Sequence, residues 1–301
     1  MKPTQLFIIG NGFDLWHGIP SSYGSFKTYA KLRDRLLFQS VEEYLPAGEE
    51  WNELESALAG VDVVNIIDDL GQFMPSYGDE DWTDAGHGDF QYEVQQLVER
   101  LSIQLRAVFG QWVRTLPVPT PATATKRLQG IDLDAAFLTF NYTATLEDLY
   151  GVPNAHVLHI HGQAKDLDKD LVLGHAWNPA ERSSLNDVPD IEDMDTRLME
   201  ANDILDGYFS EMFKPSDELI REHHAFFEGL DKIEVVRVLG HSLSDVDYPY
   251  FKALLKTPSI ANAHWWVACR SESEHQSKVA RLAEFGLDAR QVSTGPWPTS
   301  P

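Results

Sequence analysis

The sequence predicts an α/β fold: a mostly parallel, doubly wound sheet interrupted by two helical insertions. Three observations carry this. Short apolar and β-branched runs recur along the 301 residues, several of those runs are apolar at nearly every position, and stretches with helical periodicity separate them. The strand candidates are QLFIIG (5–10), AAFLTF (135–140), HVLHIH (156–161), LVLGH (171–175), EVVRVLG (234–240), HWWVAC (264–269) and ARQVST (289–294). The first, second and fifth are almost continuously apolar, as expected of strands covered by helices on both faces of a parallel sheet.

Between the first two strands, helical spacing links Trp51, Leu54, Glu55 and Leu58, and again Val94, Leu97, Leu101, Leu105 and Val108. Glu55, and Glu147 further on, read as polar residues on solvated helix faces. The acidic, aperiodic segment 76–89 reads as a loop, and the three prolines of 117–123 as a second break. A further helical stretch near 190–230 carries Met194, Leu198, Ile204, Leu205 and Phe209, and Ser216 with Asp217 marks a helix start. The simplest organisation is one domain over 1–301, with helical insertions at roughly 39–130 and 181–230.

A formal charge of −23 repels polyanions, which argues against a broad nucleic-acid surface. No run approaches the ~20 apolar residues of a membrane span, and the N-terminus enters a strand directly, so a cytoplasmic protein is expected. One cysteine, Cys269, excludes both an internal disulfide and a multi-cysteine zinc site within the chain.

The first strand ends in GNGFDLWHGIPSSY (10–23). Glycines at a strand-to-helix turn let backbone N–H groups approach a pyrophosphate, and Gly10 and Gly12 suit that role. A dehydrogenase fingerprint would place glycine at Leu15 and a ribose-binding acid after a second strand. Neither is present, which disfavours hydride transfer.

The string Gly10-Asn11-Gly12, followed by Gly18-Ile19-Pro20, resembles the glycine loop of sirtuins. TFNYT (139–143) is similar to the sirtuin segment bearing the catalytic Asn, and HIHG (159–162) to its terminal His-Gly. LGHSLSDVDYPYF (239–251) sits where sirtuin-like proteins bind the adenosine half. Over more of the chain, GNGFDLWHGIPSSY, WNELE, FLTFNYTATLEDLY, HIHG and LGHSLSDVDYPYF together resemble the phage abortive-infection family AbiH. That resemblance implies a role in phage defence.

The sirtuin resemblance implies a Rossmann-like, sirtuin-type sheet and NAD as substrate, without a metal. It assigns Asn141 and His161 to catalysis, and it places Gly10, Asn11, Gly12, Phe13, Asp14, Trp16, Gly18, Pro20, Tyr23 and Thr139 around the dinucleotide. Gly240, Ser242, Asp245 and Asp247 would take the adenosine half, unless SLSD simply starts the next helix. Asp14 is expected to hydrogen bond or cap, because a carboxylate beside a pyrophosphate repels it. Trp16, His17 and Tyr23 form either a lid over nicotinamide or packing anchors. The departures are informative: the four zinc cysteines are missing, Tyr23 replaces an Arg, and Phe140 and Thr143 replace Gln and Asp. Protein deacylation is therefore disfavoured, and hydrolysis of the nicotinamide bond remains.

That chemistry suits an amide and an imidazole. Nicotinamide departs neutral, so no acid is needed. The task is to hold a ribose or water and accept a proton near neutral pH. The alternative roles are a helix-capping turn for Asn141 and a buried structural histidine for His161. Two further readings of the chain are a non-catalytic nucleotide sensor, acting through a homo-oligomer or a regulatory protein, and a metal-dependent phosphoester hydrolase. The latter would use His159, His161, His175, His241, Asp245 and Asp247.

Overall fold

A computed structural model describes residues 2–75, 87–166 and 171–298. It divides into two compact units, one formed by Met1–Ser22, Trp112–Val172 and Pro215–Pro301, the other by Tyr23–Gln111 and Leu173–Lys214. The first unit holds the sheet. Its strands are β1 (Gln5–Ile9), β2 (Ala136–Thr139), β3 (Val157–His159), β4 (Val235–Leu239), β5 (His264–Ala268) and β6 (Val292–Gly295).

The sheet is wholly parallel with strand order β3-β2-β1-β4-β5-β6, so the α/β, doubly wound expectation holds. This order reverses direction between β1 and β4, the place where open α/β sheets commonly bind ligands beyond the strand ends.

Alternation along each strand feeds two cores. Leu6, Ile8, Leu138, Val236, Val238, Trp265 and Val267 pack on one face, and Phe7, Ile9, Phe137, Leu239 and Ala268 on the other. Each fully buried Leu or Ile contributes about 1.5–3 kcal/mol, so the central strands are held from both sides. The short helix Thr145–Tyr150 after β2 ends on Gly151, whose φ of 72° supplies the left-handed stop that a side chain resists.

One expected strand fails. LVLGH (171–175) contributes only a single bridge, His175 to Phe213. Its backbone is divided between partners: Val172 N–H donates to His161 O at 2.9 Å, whereas His175 N–H donates to Met212 O at 2.9 Å. Gly174 lies where any Cβ would overlap the Met212 carbonyl, so the glycine serves close backbone approach.

The second unit contains the helices Tyr23–Arg33, Arg35–Tyr44, Val63–Leu70, Asp89–Glu99 and Thr196–Glu211. Most of the loop read at 76–89 lies outside the described residues. No helix among the described residues is long and apolar enough to cross a membrane.

Candidate functional site

The glycine turn is explained by backbone packing. Register pairs Ile9 with Leu239, which sets Gly10 beside Gly240 at the ends of neighbouring strands. A Cβ on Gly10 would come within 2.5 Å of His241 Cα, and one on Gly12 within 2.8 Å of Gly240 Cα. Gly240 itself has a φ of 71°, and a Cβ there would overlap Phe13 N. Two of the amides expected to cradle a phosphate are used internally: Gly12 N–H donates to Gly240 O at 2.8 Å and Phe13 N–H to Gly10 O at 2.8 Å. Asn11 ties down the rest of the loop, with its Nδ2 on Ser21 O at 2.8 Å and its Oδ1 accepting from Ser21 Oγ at 2.5 Å. Gly18 turns the chain at a φ of 81°, and Pro20 is exposed.

Asp14 faces inward at 1% exposure. Its carboxyl accepts from Thr143 Oγ1 at 2.5 Å and Thr145 Oγ1 at 2.7 Å, joining the β1 turn to the β2 turn. Burial raises its pKa, opposed by the two threonine hydroxyls, by the nearby Asn141 amide and by the charge of His159. The hydrogen-bonding role expected of Asp14 is what the geometry shows.

Beyond β2, Thr139 Oγ1 accepts from Asn141 N–H at 3.1 Å. Asn141 is only 6% exposed, and neither its Oδ1 nor its Nδ2 makes a hydrogen bond of ordinary geometry, although the amide lies near enough to the Asp14 carboxyl to lower that group's pKa. It does not cap the following helix: the N-cap of Thr145–Tyr150 is Ala144, with no side-chain cap bond. Buried polar groups are nearly always partnered, so an orphaned amide at a strand end is informative.

The ladder ends at Thr139↔His159, with Ile160 N–H still donating to Thr139 O at 3.1 Å, and His161 follows in the turn two residues past β3. His161 is buried, with its ring 5.3 Å from Phe140 and 6.3 Å from Tyr142, the two neighbours of Asn141 in sequence. Its Nε2 lies 3.2 Å from Tyr250 Oη and 3.9 Å from Asp247 Oδ1. The other oxygen of Asp247 is 3.4 Å from His241 Nε2. His241 Nδ1 accepts the N–H of Leu243 at 2.9 Å, which leaves the ring proton on Nε2, toward Asp247. Leu243 has a φ of 62°, a strained conformation of the kind that gathers at functional sites.

The structure divides the residues expected on the adenosine half. Asp247 is buried against the two histidines, Asp245 is exposed and paired with Arg281, and Ser242 is exposed. Trp16 and His17 are packing residues. Trp16 stacks on Trp297 at 5.3 Å, and His17 is buried between Phe13 O at 2.7 Å and Tyr150 Oη at 2.6 Å. Desolvation lowers the His17 pKa to about 4. Tyr23 belongs to the helical unit and donates its hydroxyl to Glu55. Glu55 also receives buried Lys214 Nζ at 2.5 Å, so it is not simply a solvated residue.

Glu147 likewise departs from its sequence reading. Its side chain is 12% exposed and accepts from His159 Nε2 at 2.8 Å and Gln163 Nε2 at 3.0 Å. His159 and His161 therefore serve different partners. Among the described residues, no group of three or more His, Cys, Asp or Glu could hold a metal ion.

Fold and site together define a doubly wound α/β protein with a buried amide and imidazole beyond its strand ends. Residues 6–269 match the family model for bacteriophage abortive infection AbiH, and the chain belongs to that family. No curated protein and no solved structure matches it.

Proposed function

We propose that this AbiH chain is an abortive-infection effector that hydrolyses the nicotinamide N-glycosidic bond of NAD. The observation that carries the reading is the Asn141 amide, buried without a hydrogen bond just past β2, the strand paired with β3, after which His161 follows. Burying such a group without a bond costs about 1–3 kcal/mol, a cost that a ribose hydroxyl or a water can offset. Asn141 holds the ribose or the attacking water, and His161 accepts the water's proton. The water oxygen bonds to the anomeric carbon, and the bonding pair of the broken C–N bond passes to the nicotinamide nitrogen. The products are ADP-ribose, nicotinamide and a proton.

The test is chromatographic release of nicotinamide by the wild type, Asn141→Ala and His161→Ala, each with an extract of phage-infected cells. Wild-type release is expected, with each variant slower by about 10²–10⁴-fold. A wild type inert toward NAD and NADP in that extract overturns the reading.

A further inference from the structure

His159 and Glu147 lie outside the catalytic pair, yet their contacts lead directly to it. His159 Nδ1 is 3.0 Å from the backbone carbonyl of Asn141, and its Nε2 is 2.8 Å from Glu147 Oε1. A backbone carbonyl only accepts hydrogen bonds, so His159 Nδ1 donates to Asn141, while its Nε2 faces both Glu147 Oε1 and Gln163 Nε2, the latter at 3.0 Å. Gln163 Nε2, 3.0 Å from the same Glu147 oxygen, steadies the carboxylate.

Asn141 is thereby fixed from two sides. Its N–H is tied to Thr139 Oγ1 at 3.1 Å, and its carbonyl is tied through His159 to Glu147. Only its side-chain amide is left without a bond. The second Glu147 oxygen, Oε2, is also buried and unpartnered. A charge-assisted chain of this kind fixes geometry more strongly than neutral bonds do. Residues that orient metal ligands typically affect function by about 10–100-fold, and the same order is expected of residues that orient Asn141.

We infer that Glu147 and His159 are positioning residues for Asn141, holding its backbone so that the free amide meets the substrate at a set angle. The kinetic part of this inference rests on the NAD reading above; the spectroscopic part does not. The Asn141 carbonyl belongs to the peptide whose N–H is that of Tyr142, so loss of the His159 bond must move the Tyr142 amide resonance.

The experiment labels the tyrosines with ¹⁵N in the full chain and compares wild type, His159→Phe, Glu147→Ala and Glu147→Gln, the last of which keeps an acceptor oxygen. Expected are a displaced Tyr142 amide in His159→Phe and Glu147→Ala, and one near its wild-type position in Glu147→Gln. In nicotinamide release, the first two should lose about tenfold or more in kcat with KM within about twofold, and Glu147→Gln should recover most of that loss. An unmoved Tyr142 amide in folded His159→Phe overturns the inference, as does a raised KM at unchanged kcat. Should His159→Phe not fold, the contrast between Glu147→Ala and Glu147→Gln decides alone, and equal spectra from those two overturn it. An inert wild type with the expected Tyr142 shifts would refute NAD hydrolysis while leaving the positioning chain intact.

Discussion

Replacing Asn141 by the near-isosteric Leu should remove function without weakening the fold. Both polar atoms of the amide are buried without a hydrogen bond of ordinary geometry, and only the nearby Asp14 carboxyl offsets part of their desolvation. Each such group costs about 1–3 kcal/mol when dry, and less where a water reaches it. Leucine removes that cost, while fitting its methyl groups takes back roughly 1 kcal/mol in strain. The backbone bonds to Thr139 and His159 do not involve the side chain and survive. The net expectation is neutrality or a gain of about 1–2 kcal/mol, read as a rise of roughly 0.5–1 M in the urea midpoint. Thr145→Val is the comparison. Its hydroxyl serves the buried Asp14 carboxyl at 2.7 Å, and its loss should destabilise by about 1–3 kcal/mol. A loss of more than about 1 kcal/mol in Asn141→Leu would show that the amide is a satisfied structural group, and the argument for a ligand would fall.

Two other expectations concern the turn and its histidine. Gly240→Ala should cost about 3 kcal/mol or more, measured by urea unfolding, because its Cβ would overlap Phe13 N at a φ of 71° that L-residues resist; a variant as stable as the wild type would disprove the packing account. His17 is held neutral in the fold, its pKa lowered by burial from 6.5 to about 4, so between those values the unfolded chain binds a proton that the native state refuses. Stability contributed by this site should thus fall as pH drops through that window, by at most about 3 kcal/mol, and His17→Gln should lack that component in denaturant midpoints taken along the pH range.

The sheet was legible because its strands are buried on both faces and announce themselves as unbroken apolar runs. LVLGH (171–175) copied that signal without joining the sheet, since its backbone bonds are divided among His161, Met212 and Lys214, none of which a local pattern can reveal. The site was half legible. Asn141 and His161 stand on recognisable strand-end motifs, but Glu147 looked like a solvated helix residue because its partner His159 arrives from the next strand, 12 residues on. Asp14 meets Thr143 across 129 residues. The recoverable signal was spacing: Glu147 stands in the first turn of the helix after β2, where its carboxylate meets His159 at the end of β3.

The glycines need a different reading from the one their motif invites. In a dinucleotide fold their missing side chains make room for a pyrophosphate, and here the room beside Gly10 and Gly12 is taken by Gly240 and His241. The sequence GNG is therefore accounted for by contact between the turns after β1 and β4, and it adds no weight to any nucleotide reading. That weight passes to the turns after β2 and β3, where an amide is buried without a bond and a carboxylate, an imidazole and a threonine hydroxyl hold its backbone. Packing has no use for an arrangement that fixes the main chain so firmly and leaves the side chain unsatisfied; a ligand that arrives later does.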